Sequence, residues 1–199
     1  MQLIGMLDSP FVRRVAITME LLGLAYQHRS VSVFSTYDQF RQINPVVKAP
    51  TLVCGDGELL MDSTLIIDYL ETIAGRSLMP ADAARRRHAL KLIGLALTAC
   101  EKTAQIMYER RLRPPENQYE PWLQRVGEQL RAALSLLEPE AGRLDAGAEI
   151  CQAGLTVAVT WRFTQIILPE SILAEDYPAL AAHSARAERL PAFIATPPL

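Results

Sequence analysis

Apolar positions recur at two different periods along the chain, and the change from one to the other divides it. Gln2 to Met6 is a short apolar run that reads as a strand, and from Pro10 to Leu22 the residues Val12, Val15, Ala16, Met19 and Leu22 fall at helical spacing. Gly23 is a natural stop, because glycine accepts the left-handed conformation that ends a helix. Val31 to Phe34 reads as a second strand, and the polar stretch from Ser35 to Asn44 has room for a short helix. Thr51–Cys54 and Glu58–Met61 flank Gly55-Asp56-Gly57, a hairpin signature because a tight turn demands positive φ angles. Ser63 then reads as the cap of an apolar helix running to about Ala74.

The predicted order is therefore strand, helix, strand, helix, two antiparallel strands, helix, the order of a thioredoxin-like fold. From Gly75 to Ala84 the pattern lapses into Gly, Ser, Pro and Asp, and no strand-like alternation returns. Arg85–Arg113, Glu120–Leu144, Thr156–Leu168 and Tyr177–Glu188 carry helix-period apolar positions, broken at Pro114-Pro115, Gly142 to Gly147, Pro169 and Pro178. The fold class is thus α/β plus all-α: a thioredoxin-like domain over 1–75, a linker over 76–84 and a helical domain over 85–199.

Composition narrows the partners. With 50% hydrophobic and 21% charged residues, the 199-residue chain has enough apolar material for a real core. A net charge of -2, from 20 basic and 22 acidic side chains, gives no electrostatic reason to expect nucleic acid. No apolar run approaches the roughly 20 residues that span a bilayer, so no membrane partner is expected. Met1 to Met6 lacks the basic segment and long apolar stretch of a signal peptide, and the chain reads as cytoplasmic. Cys54, Cys100 and Cys151 are odd in number, far apart and without a neighbouring His, which indicates small buried thiols, not a disulfide framework or a metal site.

Three segments could carry chemistry. Ser9-Pro10 stands at a strand-to-helix junction, where a hydroxyl either caps the helix, a role favoured by proline at the next position, or meets an anion such as a thiolate drawn to the positive helix end. Asn44-Pro45-Val46-Val47-Lys48-Ala49-Pro50-Thr51 reads as an Ala-Pro bend feeding a strand; from sequence alone its peptide bond defaults to trans. Asp62-Ser63 sets an acid and a hydroxyl at the start of another helix, which is either a plain cap or an anion site.

In this order and at these spacings the three segments resemble the glutathione transferase family, in particular small bacterial members that begin with a Ser-Pro-Phe-Val-Arg stretch. The resemblance implies glutathione as co-substrate, a homodimer, and attack of the activated thiol on a small apolar electrophile or a hydroperoxide. A thiol with a reference pKa near 8.5 is mostly protonated at neutral pH, so the family must favour the thiolate. Ser9 is the implied donor to sulfur; no tyrosine occurs within residues 1 to 25, and Ser9-Pro10-Phe11-Val12 lacks the cysteine that dithiol exchange requires. The resemblance also implies a cis Ala49-Pro50 bond with the Ala49 backbone on the cysteinyl residue of glutathione. Lys48 is implied on its glycyl carboxylate or is a solvated loop lysine; Asp62 is implied on its α-amino group and Ser63 on its γ-glutamyl carboxylate. Phe34, Tyr108, Arg111 and Trp161 are implied walls of the electrophile pocket, or packing residues of their helices and loops. Glutathione-dependent isomerisation and a catalytically silent protein-interaction module are the alternatives.

Three features depart from the family pattern or sit awkwardly in it. Asp8 would disfavour a nearby thiolate if it pointed inward. Thr156-Val157-Ala158-Val159 has valine where a capping box would carry its acid, at an expected cost of about 1 kcal/mol. Arg85-Arg86-Arg87-His88 opposes the macrodipole at a helix start and reads as a solvated face or a subunit interface.

Overall fold

The computed structural model describes residues 1–144 and 150–198, which form two compact units. The first comprises Met1–Leu78 with Arg189–Leu199, and the second Met79–Glu188. In the first unit β1 (Gln2–Ile4), α1 (Pro10–Leu22), β2 (Gln27–Arg29), α2 (Tyr37–Ile43), β3 (Thr51–Val53), β4 (Leu59–Met61) and α3 (Ser63–Ala74) follow one another. The sheet order is β2-β1-β3-β4, with β1 parallel to β2 and the other pairs antiparallel.

Period-two geometry explains why both Leu3 and Ile4 are fully buried: successive side chains leave a strand on opposite faces, and both faces are covered. Leu3 joins Val12, Val15, Met19, Ile66 and Leu70 beneath α1 and α3, while Ile4 joins Val31 and Phe40 beneath α2.

The second strand lies at Gln27–Arg29, earlier than the expected Val31–Phe34. It is an edge strand held by its backbone and by polar side chains, with Arg29 Nη1 donating to Gln2 Oε1 at 3.2 Å and His28 Nε2 meeting the Gly5 carbonyl at 2.8 Å. Such a strand leaves no apolar signature. Beyond it Val31 plugs the α2-side core, and Ser32 to Thr36 close a turn through their hydroxyls. Another correction concerns α3: its cap is Asp62, whose carboxylate accepts from Thr64 N at 2.9 Å, and Ser63 is the first helical residue.

The helical unit consists of α4 (Ala83–Leu112), α5 (Glu120–Ala141), α6 (Gln152–Ile167) and α7 (Pro178–Ala187). Of the expected break at 142–147, residues 142–144 follow α5 and 145–147 lie outside the described residues. The central helix α6 begins at Gln152, so Thr156 is an interior residue and the half-lost capping box expected there does not exist. Thr156 Oγ1 donates instead to Gln152 O at 2.7 Å, and Val159 is buried. From Gln152 to Trp161 every residue of α6 is buried, and its hydroxyls must still be satisfied. Here they bond back along the helix or across to α4, with Thr160 Oγ1 3.2 Å from Cys100 Sγ and Thr103 Oγ1 3.2 Å from Thr164 Oγ1. The basic run at the start of α4 is exposed: Arg85 lies 3.8 Å from the capping Asp82, while His88 and Lys91 approach Glu140 at 3.5 and 3.7 Å.

Two long-range anchors close these units. In the helical unit Glu138 of α5 receives the first free amides of α7, Ala179 N at 2.6 Å and Leu180 N at 2.9 Å. In the first unit a short helix α8 (Pro191–Ile194) packs on α1, although the sequence assigned these residues to the helical domain. Arg13, 1% exposed, draws it there: Nε donates to Thr196 O at 2.8 Å and the guanidinium carbon stands 5.5 Å from the Phe193 ring centre.

Replacing Glu138 with Ala strands two amides at a helix start and is expected to cost about 1–3 kcal/mol in urea unfolding, with Glu138→Gln recovering part of the loss. A double-mutant cycle of Arg13→Met with Phe193→Ala should give a coupling of about 1 kcal/mol, whereas additive losses would show that ring and cation do not interact.

Candidate functional site

Ser9 adopts an extended conformation (φ -72°, ψ 122°) as the cap of α1, with Pro10 in the first helical position. Its Oγ accepts from Val12 N at 3.5 Å, a long bond that uses an oxygen lone pair and leaves the hydroxyl proton available. The cap and the donor readings of Ser9 are therefore compatible. Just upstream, Gly5 (φ 138°) has no room for a side chain: a Cβ there would lie 2.6 Å from Val12 Cγ2 and 3.2 Å from Ala49 Cβ. This close approach brings the end of β1, the first turn of α1 and the Ala49 loop together. Although Asp8 as a residue is exposed, desolvation of its carboxyl raises its pKa above the ordinary carboxylate value, and the hydrogen bond from Ser9 N–H offsets this only in part.

The Ala49-Pro50 peptide is cis. Its loop is tied down by Asn44, which is buried: Nδ2 donates to Thr51 Oγ1 at 2.8 Å and Oδ1 accepts from Val46 N at 3.0 Å, while Thr51 Oγ1 donates to Lys48 O at 2.8 Å. Lys48 itself is exposed.

At the turn from β4 into α3, Asp62 holds φ 74° and ψ 122°, a conformation few residues other than glycine adopt, at a typical cost of 1–3 kcal/mol. The turn sets Ser63 at the helix start, 4% exposed. Beneath it lies Arg14, 2% exposed, whose Nη1 stands 3.1 Å from both Ser63 Oγ and Thr64 Oγ1. Arg14 thus ties the helix that begins at Ser9 to the start of α3. Sequence reasoning passed over Gly5, Asn44 and Arg14; only the glycine after a strand left a visible signal.

The four expected pocket residues lie on different elements, Phe34 in the first unit and the other three in the second. Phe34 is 53% exposed in the turn after β2 of the first unit, while Tyr108, 42% exposed, and Arg111 lie on the last turns of α4. Trp161 is 4% exposed in the helical core, its ring 5.7 Å from that of Tyr177 at 56°, so it serves packing. None of the four lines the cleft of about 230 Å³ in the helical unit, whose walls include Ile106, Leu123, Gly127 and Ile172. None of the three cysteines forms a disulfide among the described residues. Burial pushes the Cys54 thiol up against a smaller opposing hydrogen bond from Tyr69, and Cys100 is buried, so neither has the character of a nucleophile.

Residues 3–78 match the model of the glutathione S-transferase N-terminal domain. A glutathione transferase family member from Pseudomonas fluorescens Pf-5, solved with bound glutathione, superposes with a TM-score of 0.87 at 30% identity over 100% of this chain and 98% of that one. Among curated relatives, the GST-like protein YibF of Escherichia coli is 28% identical over 69% of this chain and 68% of its own length. A probable maleylacetoacetate isomerase of Caenorhabditis elegans is 28% identical over 93% and 87%. The mixed four-stranded sheet with α1, α2 and α3 is the thioredoxin-like domain of that fold, the helical unit is its second part, and with likeness along its full length the chain belongs to the glutathione transferase family.

Proposed function

We propose that the first unit binds glutathione and that Ser9 activates its thiol for attack on a small apolar electrophile or a hydroperoxide. The observation that carries this reading is the hydrogen-bond state of Ser9, which accepts from the helix and keeps its own proton to donate. A donor at the positive end of α1 stabilises the thiolate over the thiol and so lowers the thiol pKa toward neutrality. In this reading Lys48 pairs with the glycyl carboxylate, the Ala49 backbone pairs with the cysteinyl residue, Asp62 takes the α-amino group and Ser63 the γ-glutamyl carboxylate. Phe34, Tyr108 and Arg111 stay candidates for electrophile contact because their side chains are exposed.

The likeness to a probable maleylacetoacetate isomerase favours a second reading with the same thiol site, glutathione-dependent isomerisation. Its mark is a requirement for glutathione without consumption of it. The proposal extends to a homodimer and to a reducing, cytoplasmic setting. Leu59 and Met61 on the edge strand β4, with Leu65 on α3 at 66% exposure, give the first unit an apolar rim suited to a second copy, and all three cysteines are free thiols.

Titrating glutathione while following thiolate absorbance across pH should show a lowered thiol pKa that returns toward its free value in Ser9→Ala, with kcat reduced roughly 10- to 100-fold. Full conjugating activity in that variant would remove the role assigned to Ser9. Asp8 supplies a second test. Its folded pKa is raised, so its ionisation opposes the folded state: stability is retained below the ordinary carboxylate pKa and falls as pH rises through the raised value. Asp8→Asn should therefore stabilise the protein at neutral pH and lower the bound thiol pKa, with the stability difference vanishing in acid.

A further inference from the structure

A serine hydroxyl that only accepts is half used. Ser63 Oγ accepts from Arg14 Nη1 at 3.1 Å, and among the described residues no acceptor takes its proton, although the side chain is 4% exposed. The same nitrogen is 3.1 Å from Thr64 Oγ1, so its two N–H bonds are divided between neighbouring hydroxyls. A donor behind each oxygen turns each O–H away from it. Asp62 meanwhile occupies the Thr64 amide through its carboxylate. What remains at the start of α3 is a pair of O–H donors backed by a buried cation, an arrangement matched by an acceptor-only, negatively charged group.

We propose that Arg14 is the positioning residue that aims both hydroxyls at one carboxylate, and that Thr64 is a second ligand contact beside Ser63, so that the site selects the ionised α-carboxylate of a γ-glutamyl group. The inference rests on the reading above in which Ser63 receives that carboxylate. An amide in the same place would offer its carbonyl to one hydroxyl but set its NH₂ against the other, leaving one donor facing a donor over a buried cation. Selectivity for charge is therefore built from beneath the site by a residue that never touches the ligand.

The test compares glutathione with its γ-glutamyl α-carboxamide by calorimetric titration, using the glycyl carboxamide as a control for Lys48. Wild type should favour the free acid over the α-carboxamide by roughly 10- to 100-fold, as is usual when a buried donor site loses its acceptor. Arg14→Met should reduce that preference to about threefold or less, and Thr64→Val should reduce it several-fold, while neither changes discrimination against the glycyl carboxamide. Ser63→Ala separates the two levels of the argument. If it leaves glutathione affinity unchanged, the reading of Ser63 fails and this inference falls with it. If it abolishes the preference while Arg14→Met and Thr64→Val keep it, the positioning role is overturned and the reading of Ser63 stands. Should Arg14→Met fail to fold, as judged by thermal unfolding, Thr64→Val decides: its side chain is at an exposed position, and an unchanged preference overturns the proposal.

Discussion

A guanidinium taken out of water must be met by acceptors wherever it comes to rest, and α1 buries two of them side by side. Arg13 and Arg14 are adjacent, so their side chains leave the helix about 100° apart and reach different neighbours. Arg13 reaches the carbonyls of the final segment and Arg14 the hydroxyls at the start of α3. The helix that begins at Ser9 is therefore fixed in rotation and in height by two polar anchors, in addition to Val12, Val15 and Met19 packed beneath it. Apolar packing alone tolerates small slides of a helix, because its contacts are non-directional. Hydrogen bonds from a planar fork do not, and this precision is what a site assembled from separate turns needs.

The same economy recurs at both helix starts. Ser9 and Ser63 each accept a hydrogen bond from the protein, one from a backbone amide and the other from a guanidinium, and each keeps a proton for something else. In both cases the bond that stabilises the fold also limits where the hydroxyl proton can point. At Ser9 capping the helix and donating a proton are then compatible roles of one hydroxyl.

Much of this architecture was legible in the sequence because its signals are local. Pro10 to Leu22 has helical periodicity, a proline start and a glycine stop, and the helix occupies those residues. Gly55-Asp56-Gly57 marks a turn whose residues have little choice, and β3 and β4 flank it. What escaped was non-local. β2 is polar because it earns its place through backbone pairing with β1, so Gln27–Arg29 carries no apolar mark. Thr156 looks like a cap because a hydroxyl before an apolar run usually is one, yet inside the buried first turns of α6 the same residue serves the interior. Arg13 and Arg14 look like solvent-facing residues, and only distant chain segments reveal their acceptors. Trp161 matched a pocket wall in character, but Tyr177 lies against it from farther along the chain.

The grouping of residues 189–198 with the first unit sets an order of events during synthesis. Residues 79–188 are an insertion within a discontinuous unit, so the sheet and α1 emerge well before the segment that covers Arg13. Until Phe193 and Thr196 arrive, the Arg13 side chain has solvent where its final partners will be, and the helical unit is free to consolidate on its own contacts. Completion of the first unit therefore waits until the whole helical unit has been made, because the segment that covers Arg13 follows it in the chain.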